Sequence, residues 1–557
     1  MDNFKTYIIF GLVIVSLLLW DAWQNDYVRP LAAQQQVVTP EMAASENNDL
    51  PSLSTAAPQQ DLPDLPSLTT VADVPQDRSS TDISNSNKIH IKTDVLDVYV
   101  DTQGADIKRL ALLKYPVESS KPNVPVQFLD DNPSHFFIMQ SGLLHVDNKG
   151  PSYNSPYTAE RENYELSAGQ DTVAVPFHWQ SEEGISVIKT YYFHRNSYVV
   201  DVDYQITNNS GEVFSAYPYV QLNRNRPGKN SGFVRTYTGA VFSNEENHYK
   251  KVDFGDLDDA DFSESASEGW VAMIQHYFVA ALIPPSQEKE KNFYGKKSIN
   301  GENYIAGMRM PTITVENDSS LRTKYQMYLG PKKHKRLEAV AKHLELTVDF
   351  GKLTIISKPL FWIMEQFHKV THNWGWSIVF LTLLIKAVFF KLSAASYRSM
   401  ANMRKLTPKL ASLKERYGDD KKKFNQAMMD LYRTEKINPL GGCLPILVQM
   451  PVFLAFYWVL VEAIELRQAP FILWLQDLTA ADPYFILPVL FGLSMFFQQK
   501  LNPAPQDPAQ AMVMKAFPVV FSVFFAFFPS GLVLYWVVNN TLSIAQQWYI
   551  TKKLGAL

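Results

Sequence analysis

The chain has 557 residues, 46% apolar and 19% charged, a length that allows three or four folding units. Charge divides it: residues 1–357 hold 32 Lys+Arg against 45 Asp+Glu, and residues 358–557 hold 20 against 11, which excludes one uniformly soluble or uniformly membrane-embedded chain. The single cysteine, Cys443, excludes an internal disulfide framework, a Cys-rich zinc site and a CxxC redox pair.

An uncharged run from 6 to 20 follows Lys5 and ends at Asp21. Asp2 offsets Lys5, and Trp20, Asp21 and Trp23 stand where a cleavage site would need small residues, so residues 1–25 are expected to be an uncleaved transmembrane anchor with Trp20, Trp23 and Tyr27 at its interface. Residues 26–87, rich in Pro, Gln, Ser, Ala and Asp, read as a flexible tether. Residues 88–345 switch to period-two alternation, as at 95–100 and 188–193, the latter followed by a turn at 194–197 and a second strand at 198–207. This predicts a large all-β sandwich domain.

From 353 to 372 the period becomes helical. Leu360, Phe361, Ile363, Met364, Phe367 and Val370 share one face between Lys358, Glu365, His368 and Lys369, which predicts an amphipathic helix on a membrane surface. Transmembrane helices are expected at 373–392, at 438–462 and three times within 483–551, the last two divided at Phe528-Pro529-Ser530-Gly531. With the anchor this makes a bundle of six, several of them short and bounded by Pro488, Pro518 and Pro529, a pattern that favours a locally thin bilayer. The segment 393–437 is strongly basic and reads as two helices, 393–417 with Pro408 inside it and a second ending near 434, joined by a Gly418-Asp419-Asp420 turn. Arg404, Lys405, Lys409, Lys414, Arg416, Lys421, Lys422 and Lys423 place this helical hairpin in the cytoplasm. The 463–482 loop, with Arg467 against Glu465, Asp477 and Asp482, falls outside. Both termini, including the 552–557 tail, are then cytoplasmic and the β domain is periplasmic.

No Walker A loop, HExxH, GxSxG or strand-borne GxGxxG is present. His368 and His372 at i, i+4 lack an adjacent acid, so neither enzyme, metal nor cofactor is expected. Lys386 interrupts an apolar span, which marks either a functional intramembrane charge or a lysine snorkelling about 7.5 Å to the edge at Lys391. Thr382 lies one turn before it, and Gln449, Gln498, Gln499, Asn539, Asn540, Gln546 and Gln547 punctuate the other spans. These polar groups suit a wet cavity open to the cytoplasm or ordinary interhelical hydrogen bonding. The basic hairpin suits RNA, a ribosome or acidic lipid, or simple positive-inside sorting.

The stretch from Asn438 (NPLGGCLPILVQMPVFLAFYWVL), with 465–471 (ELRQAPF), Asp482-Pro483-Tyr484 and Phe528-Pro529-Ser530-Gly531-Leu532, resembles the YidC/Oxa/Alb family of membrane protein insertases, in its Gram-negative form. The resemblance implies a five-helix insertase core beside the anchor and a periplasmic β-supersandwich. It implies a hydrophilic groove whose charge is Lys386, where the family carries arginine, lined by Thr382, Gln449, Asn539 and Asn540. It also implies a client-contacting slide of Phe453, Met495, Phe524, Tyr535 and Trp536. The implied partners are client membrane proteins, the lipid bilayer, the Sec translocon, and the ribosome or the signal recognition particle receptor, with no specific DNA and a functional monomer. The competing readings are a secondary transporter, which would want paired repeats, a channel, and a membrane-anchored periplasmic binding domain.

Overall fold

The computed structural model describes residues 88–228, 236–285, 290–417, 420–435, 444–502 and 508–555. The expected anchor and tether, Gly418, Asp419, the 436–443 segment and Cys443 lie outside these residues.

Alternating sequence becomes three sheets. Ile185–His194 and Val199–Asn208 pair antiparallel with Val200 opposite Phe193. Their inward residues, among them Val187, Tyr191, Phe193, Val202, Tyr204 and Ile206, are buried while their neighbours are half exposed. The strands lie inside a nine-stranded sheet in which Ser319–Pro331 joins Val199–Asn208 to Phe278–Ile283. Five- and six-stranded sheets, centred on Leu96–Asp101 and Asn303–Arg309, complete the β domain. Lys189 breaks the alternating rule: it points into the core at 0% exposure. Its ammonium donates to Gly104 O at 3.0 Å and Ala105 O at 2.8 Å, with the Asp106 carboxylate 3.8 Å away. A cation buried this deeply is tolerable only with such partners.

Beyond the sheets the chain turns helical. α1 is His334–Val340 and α2 is Thr354–Thr371, the latter burying Ser357, Leu360, Phe361 and Met364. Val370, expected on the apolar face of this helix, is 81% exposed. α3, Trp374–Val388, and α4, Phe390–Lys405, meet at a 67° bend. The helix expected through 392 therefore stops at Val388, and the continuous helix expected over 393–417 is two: α4, then α5, Thr407–Tyr417. Pro408 sits in the first turn of α5, where its missing N–H costs no helix bond. In mid-helix it would have removed one and clashed with the preceding turn. α6 is Lys421–Thr434, α7 Leu444–Glu462, α8 Ile486–Leu501, α9 Pro508–Phe525 and α10 Ser530–Lys553.

Among the described residues no single helix is long and apolar enough to cross a membrane by itself; the bent α3–α4 pair is, by length and composition. The reasons differ by helix. α8 has 16 residues, about 24 Å against the ~30 Å of a bilayer core. α10 is long enough, but Asn539, Asn540, Gln546 and Gln547 lower its hydropathy.

One hydrophobic core runs from the sheets into the helices. Polar ties reinforce it. Lys332, at the end of a strand, bridges Glu462 at the end of α7 at 2.8 Å, both side chains nearly fully buried. His276 Nε2 donates to Val461 O at 2.8 Å. Burial holds this histidine neutral, at about 4. Arg467 donates to Pro116 O at 2.7 Å and Val117 O at 3.1 Å. Burial pushes the neighbouring Glu465 up to about 7. In the same loop the buried Asp482 carboxylate accepts from Leu487 N at 2.7 Å, Tyr484 N at 3.0 Å and Trp474 Nε1 at 3.0 Å, so it satisfies one N–H of the first turn of α8 and fastens the loop to it. Gly531 N donates to Leu478 O at 2.9 Å, which seats the Pro529-Ser530-Gly531 turn on that loop.

Candidate functional site

α3, α7 and α10 converge around Lys386. Its ammonium does not run along α3 toward Lys391. It crosses to α10 and donates to Ser543 Oγ at 2.7 Å. Ser543 Oγ in turn donates to Asn539 O at 2.7 Å, one turn back on the same helix. Gln449 on α7 donates to Asn539 Oδ1. On another side of α10, Asn540 Nδ2 donates to Ser494 Oγ of α8 at 3.2 Å. Gln547 reaches Leu501 O at 3.2 Å and Asn502 Oδ1 at 3.0 Å, and Gln546 reaches Phe390 O at 3.1 Å. The polar residues of α10 thus bond to α3, α4, α7 and α8.

Lys386 and Gln449 line a narrow cleft with Ile385, Phe389, Leu392, Ser393 and Val448, about 10 Å³, room for roughly one water. Thr382 is not part of that lining. It is fully buried and its hydroxyl donates to Ile378 O of its own helix at 2.7 Å. Asn539 and Asn540 are buried as well.

The aromatic residues form a wall beside this polar seam. The Phe453 ring lies 5.0 Å from Trp536 and 6.4 Å from Tyr535. Trp536 continues to Phe491 and Phe525, each at 6.1 Å, and Phe524 packs on Phe528 at 4.8 Å. Tyr535 is buried, Met495 is half-buried against the same core, and Phe524 is 46% exposed on the outer surface of α9.

The basic residues lie apart from both. Arg404 and Lys405 end α4, and Lys409, Lys414 and Arg416 lie on α5. Lys421, Lys422 and Lys423 open α6, where Asp420 caps the helix through Lys422 N at 3.0 Å and Lys423 N at 3.1 Å. Lys409 bridges Glu435 at 2.5 Å across the two helices. Sequence reasoning missed Ser494 and Ser543. Their only signal is spacing: Ser543 stands at i+4 from Asn539, on the face that meets α3.

Comparison with known proteins now decides the kinship. The sequence profile of the YidC periplasmic domain matches residues 88–363, and that of the 60Kd inner membrane protein matches residues 366–556. Membrane protein insertase YidC of Nitrosococcus oceani is 48% identical over 559 residues, covering 100% of this chain and 99% of that protein. The YidC of Methylococcus capsulatus is also 48% identical, over 565 residues with the same coverage. The chain belongs to the YidC family of membrane protein insertases. A YidC insertase crystal structure with the first transmembrane domain resolved aligns over 84% of this chain and 93% of its own, at 17% identity and a TM-score of 0.41. In YidC terms the three sheets are the periplasmic β-rich domain and α3–α10 the inner-membrane helical region. The boundary between the two matched profiles falls within α2.

Proposed function

We propose that this chain moves transmembrane segments and short polar tails of client proteins from the cytoplasm into the inner membrane, along the seam between α3, α7 and α10, alone or with the Sec translocon. The observation that carries this reading is the Lys386 ammonium drawn inward to Ser543 and flanked by Gln449 and Asn539, beside the Phe453–Tyr535–Trp536 wall.

A polar tail entering lipid loses several kcal/mol for each group left without a partner. A polar seam part-way across shortens that passage, and short helices that thin the bilayer shorten it further. Lys386 attracts an acidic tail, Gln449, Asn539 and Asn540 offer exchangeable hydrogen bonds, and Thr382 packs within the middle of α3. The client's apolar segment then leaves along Phe453, Met495, Phe524 and Trp536, while the buried Tyr535 packs behind Phe453 instead of facing the client. Apolar burial drives the step, so no bond-making chemistry and no cofactor enters. Six transmembrane helices, cytoplasmic termini, the outer position of the 463–482 loop and a cytoplasmic α5–α6 hairpin complete the arrangement, an orientation that the distribution of Lys and Arg supports. The hairpin cations suit a ribosome, a signal recognition particle receptor or acidic lipid, and a single copy of the chain suffices for the route.

The test is insertion into purified proteoliposomes of a one-span client with an acidic tail, read by protease protection of that tail. Wild type and Lys386→Arg protect the tail, while Lys386→Ala and Lys386→Glu fail. Full protection with Lys386→Ala removes the electrostatic step, and failure of the wild type removes the insertase reading of this chain.

A further inference from the structure

Lysine carries a compact charge on a flexible stem, so the position of its ammonium is set by whatever accepts from it. Among the described residues, the acceptor for Lys386 is Ser543 Oγ at 2.7 Å. Ser543 is 3% exposed and spends its one hydroxyl proton on Asn539 O at 2.7 Å. A hydroxyl has one proton and two lone pairs. With the proton committed to the helix, the lone pairs are left to receive the ammonium.

We propose that Ser543 is a positioning residue for insertion: its proton-committed hydroxyl holds the Lys386 ammonium across the α3–α10 seam. The two remaining N–H donors are then kept for an incoming carboxylate. This rests on the insertase reading above and adds a residue that acts through Lys386 rather than on the client. Without the anchor, the lysine stem swings along α3 toward Lys391 and the charge leaves the seam.

The experiment uses the full-length chain in proteoliposomes and two one-span clients that differ only in their tails, one acidic and one with the acids replaced by amides. The quantity read is the ratio of acidic-tail to neutral-tail protection. Ser543→Ala lowers this ratio about tenfold or more, the scale of one lost hydrogen bond to a charged group. Ser543→Thr, which keeps a hydroxyl able to bond one turn back, restores it. Insertion of the neutral-tail client falls less than that of the acidic-tail client in Ser543→Ala. A wild-type ratio in Ser543→Ala, an equal fall for both clients, or a Ser543→Thr that behaves as alanine each overturns the positioning role. Lys386→Gln is the separating control. If it abolishes the preference while Ser543→Ala leaves it whole, the proposal fails and the groove charge stands. If it leaves the preference whole, the electrostatic reading fails and takes the proposal with it.

Discussion

At Glu465 burial sets a carboxyl to about 7, opposed by its own backbone hydrogen bond and by Lys333. The folded chain therefore holds a proton that the unfolded chain releases above about 4.5. Stability from this group is fully present below that pH, falls as pH rises toward 7 and is level beyond. Part of the residue still reaches solvent, so the effect is about 1–2 kcal/mol, below the ~3 kcal/mol that the full shift would carry. Glu465→Gln removes this slope: thermal unfolding in detergent from pH 5 to 8 gives a flatter profile than wild type, and identical profiles sink the assignment. His276, held near 4, works in the opposite sense, losing stability as pH falls below about 6.5, and it is unchanged by that variant. Lys386 was legible from sequence as an odd charge in an apolar span. Its direction was not, because a stem of four methylenes reaches either the membrane edge or the next helix.

At the level of elements, breaks and joints carry the information. Sequence placed Pro408 inside one continuous helix, whereas the structure breaks that helix at Leu406 and sets Pro408 in the first turn of α5. Gly375, in the first turn of α3, was invisible to sequence reasoning. A Cβ there would lie 2.0 Å from Phe471 Cδ2, so the loop before α8 packs directly on the helix backbone. Gly375→Ala costs about 1–3 kcal/mol through overpacking. Phe471→Ala in the same chain recovers part of that loss, because it clears the space. Additive losses in urea or thermal unfolding would show that Gly375 matters for another reason. The double variant thus separates crowding from helix propensity, which by itself favours alanine.

Across the whole molecule, Lys332 and Glu462 join the β domain to α7 in a nearly dry environment. Lys332→Met strands a buried carboxylate and costs about 3–5 kcal/mol, whereas Lys332→Met with Glu462→Met is close to neutral. A double-mutant cycle on thermal stability measures this coupling, and a cycle with no coupling disproves the buried pair. The same cycle asks whether the β domain is held as one body with the helices. Arg467 on the Pro116 and Val117 carbonyls and His276 on the Val461 carbonyl make the same join from other sides.

Much of this protein lies open in its linear order. Period-two alternation specified the hairpin at Ile185–His194 and Val199–Asn208, because a one-residue slip would turn Val187, Tyr191 and Phe193 out of the core. Charge asymmetry separated an acidic β domain from a basic helical region, and the 438–471 block with its companion motifs pointed to the insertase family. Tertiary structure alone decided which polar groups meet. Ser543, Asn539 and Gln449 come together with Lys386 across separations of up to 157 residues. Thr382, one turn from Lys386, instead satisfies its hydroxyl on its own helix. Periodicity tells which face of an element is buried, but a hydrogen bond needs a partner within about 3 Å, and only packed helices supply that.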